Sequence, residues 1–124
     1  MQPILTALTC TINRFEVPGF VPLGSTFVTQ PGGAAAAVWA PTGISVSDGA
    51  TLLGQKFYLE LGRGQGTSPQ RLGDAIQRTL RTFAAAGGDV DMLRMYELLG
   101  DPALLVKPGL LPAAGSGGNS SARE

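Results

Sequence analysis

Residues 34 to 40, Ala-Ala-Ala-Ala-Val-Trp-Ala, form an unbroken apolar run held between Gly32-Gly33 and Pro41. No polar side chain interrupts it, so it reads as a strand buried on both faces. Its alanines also suit a helix, but the flanking glycines and proline keep the run short. A second run, Ile4-Leu-Thr-Ala-Leu-Thr-Cys10, opens after Pro3 and closes on the polar Thr11-Ile12-Asn13-Arg14. It too reads as a buried strand, although periodicity alone leaves a helical segment open. In open α/β sheets ligands bind outside the carboxyl ends of the strands. Cys10, the single cysteine of 124 residues, stands at such an end. The competing reading is an inert packed thiol, since free cysteine is among the most often buried residues.

The chain fits one ordinary domain. Hydrophobic residues make up 44%, enough for a packed interior. Charged residues make up 15%, below the roughly 25% of a typical soluble domain, which suggests that some apolar surface meets a neighbour. Nine basic residues balance nine acidic ones, so nothing argues for nucleic acid or an anionic membrane as partner. No apolar run approaches the roughly 18 residues of a membrane span. The start of the chain lacks the basic and long apolar regions of a signal peptide. One cysteine permits no internal disulfide, so compartment cannot be read from it. Histidine is absent, which removes the commonest general base from any mechanism the chain runs alone.

Between the two runs, Thr11 to Pro22 carries Pro18-Gly19 and Pro22 and is expected to form a loop over Cys10. A short helix fits Leu23 to Gln30, with Leu23 and Phe27 on one face, ended by Pro31-Gly32-Gly33. Ser47-Asp48 signals the start of a helix to about Leu61, with Ala50, Leu53, Phe57 and Leu61 as its apolar stripe. The glycine-rich segment 62–66 superficially resembles a phosphate loop, but it follows a helix where that fingerprint needs a preceding strand. Ser68-Pro69 caps the next predicted helix, which runs to about Ala86. Leu72, Ala75, Ile76, Leu80, Phe83 and Ala84 face inward, and Arg78 and Arg81 form a solvated face. Gly87-Gly88 ends it. Val90 to Leu99 is a short helical stretch or loop, and Leu104-Leu105-Val106 a last strand. From residue 108 to 124 the Gly/Ser-rich composition is that of a flexible tail, leaving 1–107 as the folded part.

Three stretches in this order resemble the C-terminal part of a gingipain-type cysteine peptidase catalytic domain. ILTALTC at 4–10 looks like the strand that carries the nucleophile. GGAAAAVWAPTG at 32–43 is similar to the next sheet strand and the loop after it. MYELLGDPALLVKP at 95–108 resembles that family's Leu-Gly-Asp-Pro-Ala/Ser-Leu ending, the most specific of the three. The resemblance implies an α/β, caspase-like fold: a mostly parallel sheet with flanking helices, of which this is the C-terminal half, and a Cys/His dyad at the carboxyl edge. Cys10 is then the nucleophile. Trp39, Ala40, Pro41 and Thr42 would lie beside the P1 pocket as substrate-binding residues, with Trp39 either a pocket wall or core. No cofactor or metal is implied. Asp101, in Gly100-Asp101-Pro102, reads as a turn aspartate bonding its own backbone.

The resemblance puts the histidine, usually followed by glycine, at the end of the neighbouring strand earlier in the chain, and Met1 comes after that point. The chain is therefore expected to be an incomplete domain whose N-terminal half-domain, carrying the histidine, comes from elsewhere. A free cysteine has a pKa near 8.5, so only a few per cent is thiolate at neutral pH without a nearby imidazole. The fragment alone is expected to alkylate slowly and not to turn over peptide bonds. Losing the strand beside Cys10 exposes a sheet edge, so poor solubility, dimerisation or dependence on a partner is expected. The function so implied is a cysteine endopeptidase acting on peptide or protein substrates, in a bacterial secreted or surface parent. Two alternatives are a non-catalytic interaction or scaffold protein that keeps the fold, and a caspase-like domain of another family.

Overall fold

The computed structural model describes residues 2–63 and 69–106. Along the chain run β1 (Ile4–Thr6), α1 (Leu23–Thr29), β2 (Ala37–Pro41), α2 (Ser47–Arg63), β3 (Gln70–Arg71), α3 (Leu72–Ala85), α4 (Val90–Met95), β4 (Tyr96–Gly100) and β5 (Leu105–Val106). Three strands form a sheet in the order β1-β2-β4, and β3 pairs with β5 in a small second sheet.

The unbroken apolar run behaves as its composition requires. All five residues of β2 are buried. Ala37 and Trp39 point into a core shared with Leu53 and Phe57 of α2 and with Leu72, Ile76 and Phe83 of α3. Val38 and Ala40 face the other way, against Phe27 and Val28 of α1. Successive side chains of a strand leave opposite faces, so a strand covered on both has no position for a polar residue. Each large apolar side chain fully buried here contributes about 1.5–3 kcal/mol.

The pairings divide by direction. β1 lies parallel to β2, with Leu5 opposite Val38, and β4 runs antiparallel on the other side, with Val38 opposite Leu99. β3 and β5 are also antiparallel. The α/β class is as expected, but the described strands make one parallel pairing and two antiparallel ones, not a mostly parallel sheet. The antiparallel strand arises where the sequence suggested a helical stretch or loop. Asp89 accepts a hydrogen bond from the Asp91 N–H (2.8 Å) and starts the six-residue α4, after which the chain extends at once into β4. β4 ends at Gly100, whose φ of +138° suits glycine; a Cβ there would stand 2.7 Å from the Ala37 Cβ across the sheet.

Helix α3 begins later than Ser68-Pro69 suggests, and Ser68 lies outside the described residues, as do most of the glycine-rich segment and the tail. Gln70 and Arg71 are taken by the small sheet, and the helix opens at Leu72. Its first N–H groups are met by backbone rather than by a side-chain cap: Leu72 N–H donates to Leu104 O and Gly73 N–H to Pro102 O, both at 2.8 Å. The Gly-Asp-Pro-Ala-Leu-Leu segment thus satisfies donors that every helix start leaves open. Asp101 is the turn aspartate expected, its carboxylate accepting from the Ala103 N–H at 2.8 Å.

Three inward-face assignments change. Leu23 is exposed, and the buried residue of α1 is Gly24, where a Cβ would collide with Asn13 Oδ1. Ala84 is exposed. Glu60, not Leu61, is the fully buried member of the last turns of α2. Its carboxylate pairs with Arg63 (2.9 Å) and Arg78 (3.3 Å), so Arg78 binds across to α2 instead of lying on a solvated face. Arg78 also donates to Gln70 Oε1, and Gln70 Nε2 donates to the Glu60 and Leu61 carbonyls. A buried carboxylate is tolerated only when paired in this way. Among the described residues, no helix is long and apolar enough to cross a membrane.

Candidate functional site

Strand direction decides which loops meet. Because β1 and β2 are parallel, their carboxyl ends lie at the same edge of the sheet. Because β4 is antiparallel to β2, its first residue, Tyr96, lies at that edge too, opposite Pro41. The segment after β1 stays stitched to the one after β2: Ala7 N–H donates to Trp39 O (3.3 Å), Thr11 N–H to Gly43 O (3.0 Å) and Asn13 N–H to Pro41 O (3.0 Å). Asn13 is fully buried, and its side-chain amide donates to Ala40 O (3.2 Å) and Glu97 O (2.9 Å), tying the loop to two strands at once. Thr42 binds the Met95 carbonyl through both its N–H (2.8 Å) and its hydroxyl (3.2 Å).

Cys10 sits in this edge, half-buried. Its thiol donates to the Ser45 carbonyl at 3.6 Å, and Sγ lies 3.8 Å from Ser45 Oγ. Ser45 in turn donates its hydroxyl proton to Thr9 O at 3.0 Å. The next residue after the cysteine is unusual. Thr11 has φ +58°, the left-handed region that a β-branched residue rarely enters, at a cost of about 1–3 kcal/mol. That turn aims the Thr11 N–H at Gly43 O. Among the described residues, no backbone acceptor meets the N–H of Cys10 itself.

Tyr96 completes the cluster. It is 4% exposed, and its hydroxyl is buried with no hydrogen-bond partner among the described residues. Burial raises its pKa above the usual 10.0, the Ser45 hydroxyl nearby opposes the rise, and the Cys10 sulfur adds to it. No hydrogen bond of acceptable geometry joins Tyr96 to Ser45, whose own proton goes to Thr9 O. A tyrosine whose folded pKa is raised contributes stability that is fully present below pH 10 and lost as pH rises through the folded value. Thermal unfolding is therefore expected to show a fall in midpoint above pH 10 that Tyr96→Phe makes shallower; equal alkaline slopes in both proteins would contradict the assignment.

The expected site residues divide in two. Cys10 and Thr42 stand at the edge, Thr42 half-buried. Trp39 does not form an open wall: it is 0% exposed and packs on Phe57 and Tyr96 with ring centroids 4.6 and 5.3 Å apart. Ala40 and Pro41 are buried behind the edge as well. The sequence reading missed Ser45, Tyr96 and Thr11. Only the positive φ of Thr11 is beyond sequence inspection; Ser45 sits two residues after Gly43 in the turn that follows β2, and Tyr96 lies inside the quoted MYELLGDPALLVKP stretch. The rim is apolar, with Leu8, Ile44 and Val46 at 43, 81 and 64% exposure.

A family model described as peptidase family C25 matches residues 1–107. No curated protein and no solved structure shows a significant similarity to the chain.

Proposed function

The chain belongs to peptidase family C25, and we propose that it contributes the nucleophile-bearing part of a cysteine endopeptidase domain, with Cys10 as the attacking group. The observation that carries this reading is the placement of a half-buried, hydrogen-bonded thiol where the loops after β1 and β2 converge. A sulfur packed among aliphatic side chains would have left only a structural role.

In this reading the Cys10 thiolate attacks the scissile carbonyl. The N–H of Cys10, which meets no backbone acceptor among the described residues, would serve as an oxyanion donor, worth roughly 3–4 kcal/mol to the transition state. The leaving amine needs a proton, and an imidazole is the usual source. The chain has no histidine, so a histidine-bearing half-domain has to bring it. β1 supports that arrangement: among the described residues it pairs with β2 alone, leaving its other edge open for a strand. The caspase-like, mostly parallel sheet then belongs to the joined domain. Thr42 is the substrate-facing residue of the expected set, while Trp39, Ala40 and Pro41 act from behind it. The lack of histidine also supports a second reading, a non-catalytic protein that keeps the fold for interaction.

An acyloxymethyl-ketone peptide probe separates the two. Cys10 is expected to be labelled when the N-terminal half-domain of a family member is added, and Cys10→Ala to abolish that labelling. Equal labelling with and without the added half-domain would show that the thiol is not activated by it.

A further inference from the structure

We propose that Ser45 and Tyr96 are positioning residues for the Cys10 thiolate, forming a two-step chain of hydroxyl donors that turns toward the sulfur once its proton leaves. The inference rests on Cys10 being the nucleophile, but its test does not require turnover.

In the thiol state three polar groups share two donations. Cys10 donates to the Ser45 carbonyl at 3.6 Å, Ser45 Oγ donates to Thr9 O at 3.0 Å, and the buried Tyr96 hydroxyl has no partner among the described residues. An orphaned buried hydroxyl costs about 1–3 kcal/mol, so its presence beside a reactive group calls for a reason. Ionisation supplies one. When Cys10 loses its proton, the sulfur and the Ser45 carbonyl become two acceptors facing each other, and that contact turns repulsive. Ser45 Oγ is already 3.8 Å from Sγ, within reach of a hydrogen bond to sulfur. A serine hydroxyl has one proton and two lone pairs. Once that proton swings from Thr9 to the sulfur, the rotated hydroxyl re-aims its lone pairs and presents one to Tyr96, which thereby gains a partner.

The chain Tyr96–OH to Ser45–OH to sulfur is then polarised in one direction, each donation strengthening the next. Tyr96 suits its end of the chain because burial keeps it protonated beyond the ordinary tyrosine range, so it donates and brings no second negative charge. Tyr96 is the ionisable side chain that β4 brings to this cluster, and Ser45 and Thr9 are uncharged. The short Tyr96–Trp39 ring contact, 5.3 Å between centroids, holds the phenol in place from the core side.

The test is the rate of Cys10 alkylation by iodoacetamide in the full chain, followed by mass spectrometry from pH 6 to 10. One hydrogen bond to a charged group corresponds to roughly tenfold in an equilibrium. At pH 7, Ser45→Ala is expected to slow alkylation about tenfold and Tyr96→Phe about threefold, with Ser45→Thr close to the parent. Toward the alkaline end the rates are expected to draw together. Superimposable profiles in variants with the parent's thermal midpoint would overturn the proposal. So would a rate change of the same size at every pH, which reports access to the thiol instead of its ionisation. Failure of the half-domain to activate probe labelling leaves these rates untouched, so the two ideas fail separately.

Discussion

Adding a histidine-bearing half-domain to this chain is expected to raise peptide turnover by about 10²–10⁴-fold over the chain alone, the range that a positioned general acid–base contributes. On the proposed reading the chain supplies a thiol at the sheet edge, an N–H with no backbone acceptor among the described residues, and a hydroxyl beside the sulfur. What it lacks is an imidazole. Histidine is absent, and the buried Tyr96 stays protonated until above pH 10. The pH profile of the joined enzyme below pH 10 therefore belongs to the thiol and the incoming imidazole, without an inflection from Tyr96. The measurement is kcat/KM on a fluorogenic peptide with increasing half-domain, against a Cys10→Ala control expected at background. Turnover by the lone chain equal to that of the mixture would remove the need for the second polypeptide.

How much of this was legible beforehand depends on the range over which each feature is decided. The β2 run could be read because burial on both faces leaves its mark residue by residue: Ala37 and Trp39 go to one core, Val38 and Ala40 to the other. The stripe of α2 and most of that of α3 were equally local. Cys10 could be placed at a strand's carboxyl edge from the short apolar run before it. The failures are all non-local. β4 was hidden because four residues from Tyr96 to Leu99 fit a helix or a strand, and only pairing with β2 decides between them. The start of α3 depends on carbonyls far along the chain, at Pro102 and Leu104. Arg78 was read as part of a solvated face because its partner Glu60 stands eighteen residues away on another helix. Tyr96 reaches the edge where two parallel strands end because an antiparallel strand brings its first residue there.

Trp39→Ala is expected to cost about 3–5 kcal/mol, the range for deleting a buried aromatic, which is a large part of a small domain's stability. Trp39 has 0% exposure, lies in the middle of the sheet's central strand and touches Phe57 of α2 and Tyr96 of β4. Its removal empties the joint between sheet and helices, and neighbours fixed by backbone pairing on both sides have little freedom to collapse into the space. Trp39→Phe keeps an aromatic face and is expected to lose less than half as much. Urea unfolding followed by far-UV circular dichroism measures both. The loss reaches the site as well. Without the indole, the Tyr96 ring loses the surface that fixes it from behind, so Trp39→Phe, which keeps the fold, should slow Cys10 alkylation at pH 7 in the same direction as Tyr96→Phe. A Trp39→Ala protein as stable as the parent would contradict the core role assigned to the indole.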